Sequence, residues 1–343
     1  MKHVVIIGSG PAGLAAAAGL ARRGIAYTVL ERGEAPVAGL RRVDPDMALL
    51  SPARLSHLRG MDRIAGRYPT FRELIVALDR FREDHAIEVT THHTVTRVER
   101  ARDAIVVRTS NGAATPATHV INATGIVSAP RLPSEFDSVA VRLRWLHSVD
   151  VRRSHVESAR RLLVVGGGAS AAEVLEHWIA VRRPDDHAWI AARSTIRALP
   201  QSVLGVDFHY WLWPFEHLPG RRFGPRISPK DPMWGYAIPR AIRSGAIRRV
   251  AVARYDASSV SLVDGSTLEP DLVVFATGFT HDTRHLGDLV ERDADHWPIA
   301  DRCESRRTPG VYLLGSRYAR SLASPFLRGI ARDAEFVAAT IAR

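Results

Sequence analysis

His3-Val-Val-Ile-Ile7-Gly8-Ser9-Gly10-Pro11-Ala12-Gly13 decides the fold of this chain. The apolar run His3 to Ile7, halted by glycines, reads as a short buried strand. The Ala/Leu-rich stretch from Pro11 to about Arg23 reads as a helix, and Ala26-Tyr-Thr-Val-Leu30 as a second strand. Together they form one βαβ unit around a G-x-G-x-x-G turn. Gly8 allows the tight turn, Gly10 lets the backbone approach a pyrophosphate, and Gly13 lets helix and strand pack closely. The helix start supplies unpaired N–H groups and partial positive charge. Gly8, Ser9, Gly10, Pro11, Ala12 and Gly13 are therefore assigned to phosphate binding. Glu31 ends the second strand 18 residues past Gly13 (31 − 13), the spacing of a carboxylate that accepts from ribose hydroxyls. A solvated surface carboxylate is the plain alternative.

Outward from this unit the same pattern returns. Arg161-Leu-Leu-Val-Val165 is a strand, Gly166-Gly-Gly168-Ala169-Ser170-Ala171 a second turn, 169–180 a helix, and Ala188-Trp-Ile-Ala191 the next strand. Ala171 stands where the third glycine would, a permitted small residue. No acid ends this strand; it runs Ala191-Ala192-Arg193-Ser194. A guanidinium grips phosphate oxygens bidentately and an acid would repel them, so Arg193 and Ser194 favour the 2′-phosphate of NADPH. Asp271-Leu-Val-Val-Phe-Ala-Thr-Gly278 repeats the form of 118–125. This internal duplication predicts an α/β fold with two Rossmann-like dinucleotide-binding domains. The order nests them. A first dinucleotide-binding domain of 1–150 and 281–343 surrounds a second, NADPH-binding domain of 151–280. Elsewhere 71–85 reads as a helix, and 87–91, 95–99, 104–109 and 311–315 as strands. Residues 33–67 are irregular, and 328–341 reads as the closing helix.

Composition limits the chemistry. The chain has 343 residues, 46% hydrophobic and 24% charged, enough for two domains. Cys303 is the single cysteine, which excludes an internal disulfide, a redox dithiol, a four-cysteine zinc site and a cysteine-ligated iron–sulfur cluster. It also fits a reducing, cytoplasmic setting. Net charge is +11, carried almost entirely by arginine, since Lys2 and Lys230 are the only lysines. The arginines are scattered and no nucleic-acid motif accompanies them, so no nucleic-acid partner is expected. The apolar start runs into glycines rather than a cleavage site, and no stretch reaches membrane-span length. His85, His92 and His93 lack carboxylates at metal spacing and read as surface residues; no metal is expected.

The two glycine turns, Glu31-Arg32, Ala123-Thr-Gly125 with Pro130-Arg-Leu-Pro133, and Ala276-Thr-Gly-Phe279 resemble the flavin-containing monooxygenases and their short bacterial relatives over almost the whole chain. Leu49-Leu-Ser-Pro-Ala-Arg-Leu-Ser56, Tyr68-Pro69 and the closing Gly315…Arg328-Gly329 are similar too. The resemblance implies FAD held by Gly8, Gly10, Gly13, Glu31 and Arg32. Leu40, Val95, Ala123, Thr124, Gly125, Gly315, Arg328 and Gly329 would lie along the same cofactor. It implies NADPH held by Gly166, Gly168, Ala169, Ser170, Arg193 and Ser194, with Thr277 and Gly278 nearby. The reaction implied is transfer of one oxygen atom from O₂ to a nitrogen, sulfur or carbonyl centre of a small molecule. The cofactors carry this chemistry, so no side chain is assigned as catalytic; His147 and Ser51 are the candidates. The chain departs from the pattern at Val141-Arg-Leu-Arg-Trp-Leu-His147, where only the histidine of F-x-G-x-x-x-H survives. It departs again at Gly39-Leu40-Arg41-Arg42 and at Leu50-Ser51.

Two other functions use the same folds. One is an NADPH-dependent reductase passing electrons to a quinone or carrier protein; the other is a non-catalytic flavoprotein, disfavoured by two intact turns. The aromatic stretch Phe208-His-Tyr-Trp211, Trp213 and Phe215, with Trp234, reads as a packed excursion of the NADPH domain. A pocket wall or partner surface is the alternative. A homodimer is left open by the sequence.

Overall fold

The computed structural model describes residues 2–102, 104–127, 129–223 and 232–343. These fall into two compact units. The first takes Met1–Ala129, His209–Ile227 and Thr280–Arg343; the second takes Pro130–Phe208 and Ser228–Phe279.

In the first unit, His3–Ile7 is central to a parallel arrangement. It pairs with Ala26–Leu30 on one side and His119–Asn122 on the other, and Val311–Leu313 extends the parallel set beyond them. Glu304–Ser305, Pro298–Asp301 and Glu291–Arg292 then continue the sheet antiparallel. Helix Pro11–Ala21 is buried along nearly its whole length, which its small Ala and Gly side chains permit. Gly19 brings it so close to the closing helix Leu327–Ala342 that an added Cβ would lie 3.1 Å from the Cβ of Ala338. Helix Phe71–Asp84 starts at a capping box. Thr70 Oγ1 accepts from the Glu73 amide at 3.2 Å, and the Glu73 carboxylate accepts from the Thr70 amide at 2.7 Å. Its Leu74, Ile75, Leu78 and Phe81 point into the core at helical spacing. A three-stranded antiparallel sheet follows: Val95–Ala101, Ala104–Thr109 and Ala114–Ala117.

The second unit is a five-stranded parallel sheet in the order Arg248–Val250, His187–Ala191, Arg161–Val165, Leu272–Phe275, Trp145–His147. Both faces are covered, as a parallel sheet requires. Leu162 and Val164 pack on one side with Leu175 and Trp178 of helix Ala169–Val181. Leu163, Val273 and Phe275 pack on the other with Phe136 and Tyr255. Three antiparallel strands, Val252–Tyr255, Val260–Leu262 and Thr267–Leu268, complete the unit.

The structure divides the chain differently from the 1–150/151–280/281–343 partition. Residues 130–150 belong to the second unit, because Trp145–His147 pairs in parallel with Leu272–Phe275 as its edge strand. The aromatic stretch from His209 onward belongs to the first unit rather than packing in the second. Its backbone bonds to the 316–323 loop: Gly220 N–H to Arg320 O, Leu322 N–H to Leu218 O and Ala323 N–H to Glu216 O, at 3.1 to 3.2 Å. Residues 87–91 form no extended strand; Thr90 makes only an isolated parallel bridge to Leu30. No helix among the described residues is long and apolar enough to cross a membrane.

Candidate functional site

At the first glycine turn each glycine has a separate physical reason. Gly8 sits at φ +99, and a Cβ there would lie 2.7 Å from the Ala123 carbonyl oxygen; its N–H donates to Leu30 O at 2.8 Å. A Cβ on Gly13 would lie 1.9 Å from the Gly8 carbonyl oxygen, so this glycine sets the closeness of helix and turn. Gly10 differs. It has an ordinary φ of −68, and a Cβ on it meets no atom within 4 Å. The fold gives no reason for a glycine there, whereas a pyrophosphate laid against the backbone does. The unpaired first-turn N–H groups of helix Pro11–Ala21 supply the donors. This turn fits a dinucleotide.

Glu31 is buried at the end of its strand. Its carboxylate accepts from Ser9 N–H at 3.0 Å, Ser9 Oγ–H at 2.7 Å and Gly33 N–H at 2.9 Å. Three bonds leave one of the roughly four acceptor positions of a carboxylate for a ribose hydroxyl. Ser9 Oγ in turn accepts the Val37 N–H at 3.2 Å. Val37 is held at φ +60, costly for a β-branched residue, so the turn stores backbone strain beside the carboxylate. Nothing in the sequence marks Val37. Arg32 is exposed, Leu40 leans half-buried on the core from the short helix Ala38–Arg41, and Val95 opens its strand. At the carboxyl ends of the central strands, Asn122, Ala123 and Thr124 lead to Gly125 at φ +77, whose Cβ direction is open. Gly315, at φ +71, would place a Cβ 3.4 Å from the Cβ of Ala12.

The closing segment is fixed by contacts within the protein. A Cβ on Gly329 would lie 1.9 Å from the Ala323 carbonyl oxygen, which explains the glycine without a ligand. Arg328 is 8% exposed, and its guanidinium is taken by Glu216 through Nε at 2.6 Å and through a second, shorter bond from Nη2. Glu216 carried no mark in the sequence, because its partner lies 112 residues away.

In the second unit, Gly166 sits at φ +136 with a hypothetical Cβ 2.1 Å from Ala276 O, and its N–H donates to Ala191 O at 2.8 Å. Gly168 stands at the helix start ahead of Ala169 and Ser170. Ala171 is fully buried, so the small residue there does the packing of a third glycine. Arg193 is exposed on the loop beyond His187–Ala191, next to Ser194. The sequence reading missed Arg249. From the neighbouring strand its guanidinium donates to Ala192 O at 3.3 Å and Ser194 O at 3.2 Å, so it shapes the loop that carries Arg193.

Thr277 and Gly278 are tied to Arg131, whose N–H donates to Gly278 O at 3.0 Å and whose guanidinium donates to Thr277 O at 3.0 Å. His147 is buried, and both its ring nitrogens are engaged. Nδ1 accepts from Val149 N–H at 3.4 Å, which leaves Nε2–H to donate to Gly278 O at 3.0 Å. That histidine pins the edge strand to the Gly278 turn. Ser51 Oγ lies 2.8 Å from Ser56 Oγ, and Ser56 also donates to the Ser51 and Pro52 carbonyls, an ordinary loop closure.

Several titratable groups of the first unit are shifted by burial. Burial, reinforced by mutual repulsion, lowers His281 to about 4, and burial lowers His285 to about 4. His285 Nε2 lies 2.8 Å from Asn122 Oδ1, at the end of a central strand. Burial raises the Cys303 thiol well above its ordinary value, and burial raises Asp333 despite its 2.9 Å contact with Arg320.

A family model for pyridine nucleotide-disulphide oxidoreductases matches residues 5–183. The uncharacterized oxidoreductase CzcO of Bacillus velezensis is 24% identical, covering 98% of each chain. The indole-3-pyruvate monooxygenase YUCCA4 of Oryza sativa subsp. japonica is 27% identical, covering 80% of this chain and 73% of its own. Among solved structures, a flavin-containing monooxygenase from Stenotrophomonas maltophilia superposes with a TM-score of 0.78 at 24% identity, over 99% of this chain and 98% of its own.

Proposed function

Because the chain belongs to the pyridine nucleotide-disulphide oxidoreductase family, as a flavin-dependent enzyme with a single, buried cysteine, we propose that it is an FAD-dependent, NADPH-linked monooxygenase acting on a small molecule. Cys303 speaks against dithiol chemistry. Electrons reaching the flavin have no dithiol to pass to, and the one thiol is buried and held in its protonated form by burial and by Asp333. NADPH supplies a hydride, and FAD, when bound, accepts it and activates O₂.

The chain's own residues bind and orient. Gly10 and the first turn of helix Pro11–Ala21 would take the pyrophosphate of FAD, and Glu31 its ribose, with Ser9 and Gly33 fixing the carboxylate. Gly166, Gly168 and Ser170 would take the pyrophosphate of NADPH. Arg193 would take its 2′-phosphate on the loop that Arg249 organises. His147 would hold the Gly278 turn through its backbone carbonyl, and Ser51 would hold the Ser56 loop through its hydroxyl. Indole-3-pyruvate, named for the rice relative, is the first probe; an amine and a thioether follow as simple nitrogen and sulfur centres. The test is oxygen consumption against hydrogen peroxide release. Substrate should lower peroxide per NADPH consumed as oxygen goes into product. Turnover at the same rate without oxygen, on a quinone, would establish the reductase instead.

A further inference from the structure

The segment from His209 to Gly220 lies in sequence between elements of the second unit, yet it is laid on the first as a strap. Three backbone bonds, two of which form the bridge between Pro219 and Ser321, fasten it along the 316–323 loop. Gly220 is required there, since a Cβ would lie 2.6 Å from Tyr318 Cα. That loop follows Gly315, where an added Cβ would lie 3.4 Å from the Cβ of Ala12 in the first turn of the phosphate-binding helix. The strap therefore lies across the loop adjoining the cofactor turn, and it presents Trp211, Trp213 and Phe215 to solvent.

One polar lock holds it from beneath. Glu216 and Arg328 are both buried and meet in a two-point ion pair, and Arg328 Nη1 also reaches Leu55 O at 3.5 Å. Arg328 stands in the first turn of helix Leu327–Ala342, where a positive charge is unfavourable against the helix dipole. The Glu216 carboxylate cancels it. Without that carboxylate, a buried guanidinium at a positive helix end has no counter-charge, and the strap has to lift to let water reach it.

We propose that Glu216 is a positioning residue, which holds the 209–220 strap against the 316–323 loop and so keeps the cofactor end of the first unit covered. The proposal rests on FAD binding at the Gly8–Gly13 turn. The two are separable, since colourless protein would remove the FAD reading, whereas the strap is probed directly by protease. The experiment treats full-length, flavin-loaded wild type, E216Q, E216D and the E216Q/R328M pair with chymotrypsin, and quenches flavin fluorescence with iodide. Native-state cleavage within 209–220 should rise on the order of a hundredfold in E216Q, as cleavage follows the opening equilibrium. Iodide quenching should rise with it. E216D should stay near wild type. E216Q/R328M, with no buried charge left alone, should regain most of the protection; it also serves if E216Q alone does not fold. An E216Q protein that keeps its flavin, its resistance to cleavage and its shielding from iodide would overturn the proposal.

Discussion

Replacing Gly10 by valine separates ligand binding from folding, because the structure gives this glycine nothing to do in the fold. Its φ of −68 suits any residue, and its Cβ direction is clear to 4 Å. The ligand-free protein should therefore change stability by no more than about 0.5 kcal/mol, as at an unconstrained surface position. The isopropyl group would occupy the space of the pyrophosphate and break at least two charge-assisted bonds from the turn, at about 1.5–3 kcal/mol each. The summed loss of about 3–6 kcal/mol is a fall in FAD affinity of roughly 10²- to 10⁴-fold. Gly13→Ala is the control with the opposite signature. Its Cβ would lie 1.9 Å from backbone oxygen, so helix and turn must part, costing about 3 kcal/mol or more of apoprotein stability. Thermal melts of the apoproteins and fluorescence titration with FAD read both quantities. A Gly10→Val protein that binds FAD like wild type, or that loses several kcal/mol as apoprotein, would refute the assignment of this turn.

Further outcomes follow from the other groups. Arg193→Ala should weaken NADPH by about 1.5–3 kcal/mol, tenfold to over a hundredfold, and leave NADH nearly unchanged, with equal losses contradicting the 2′-phosphate role. His281 and His285 are neutral in the fold, with values of about 4 against 6.5. Their contribution to stability is complete above pH 6.5 and is lost as pH falls toward 4, by about 3 kcal/mol per group before their mutual coupling. Urea melts of apoprotein at stepped pH should show that loss, and H281N/H285N should flatten it. Cys303 should react with a thiol reagent only after denaturation, and Cys303→Ala should be reduced by NADPH at the wild-type rate; a tenfold slower reduction would reopen a thiol role.

Local signals made the centre of each unit legible. Short apolar runs ending in glycine placed His3–Ile7 and Arg161–Val165, and glycine spacing placed the helices after them. What escaped the sequence was non-local or brief. Trp145–His147 is three residues long and becomes a strand only by pairing with Leu272–Phe275. The stretch from His209 has no periodicity to say which unit it joins; that is decided by backbone bonds to 316–323 and by a charge pair spanning 112 residues. Arg328 and Gly329 were assigned to the flavin by resemblance; their contacts with Glu216 and Ala323 carried no sequence signal. Arg249 looked like any other arginine of an arginine-rich chain until the sheet placed it beside the Arg193 loop.

Oxygen transfer is tested most directly by turnover under ¹⁸O₂ in ordinary water, with NADPH and a converted probe substrate, followed by mass spectrometry of the product. Monooxygenation places one labelled atom in each product molecule for each NADPH consumed. Unlabelled product, or label entering only when the water carries it, would contradict oxygen transfer and leave a flavin dehydrogenase or reductase.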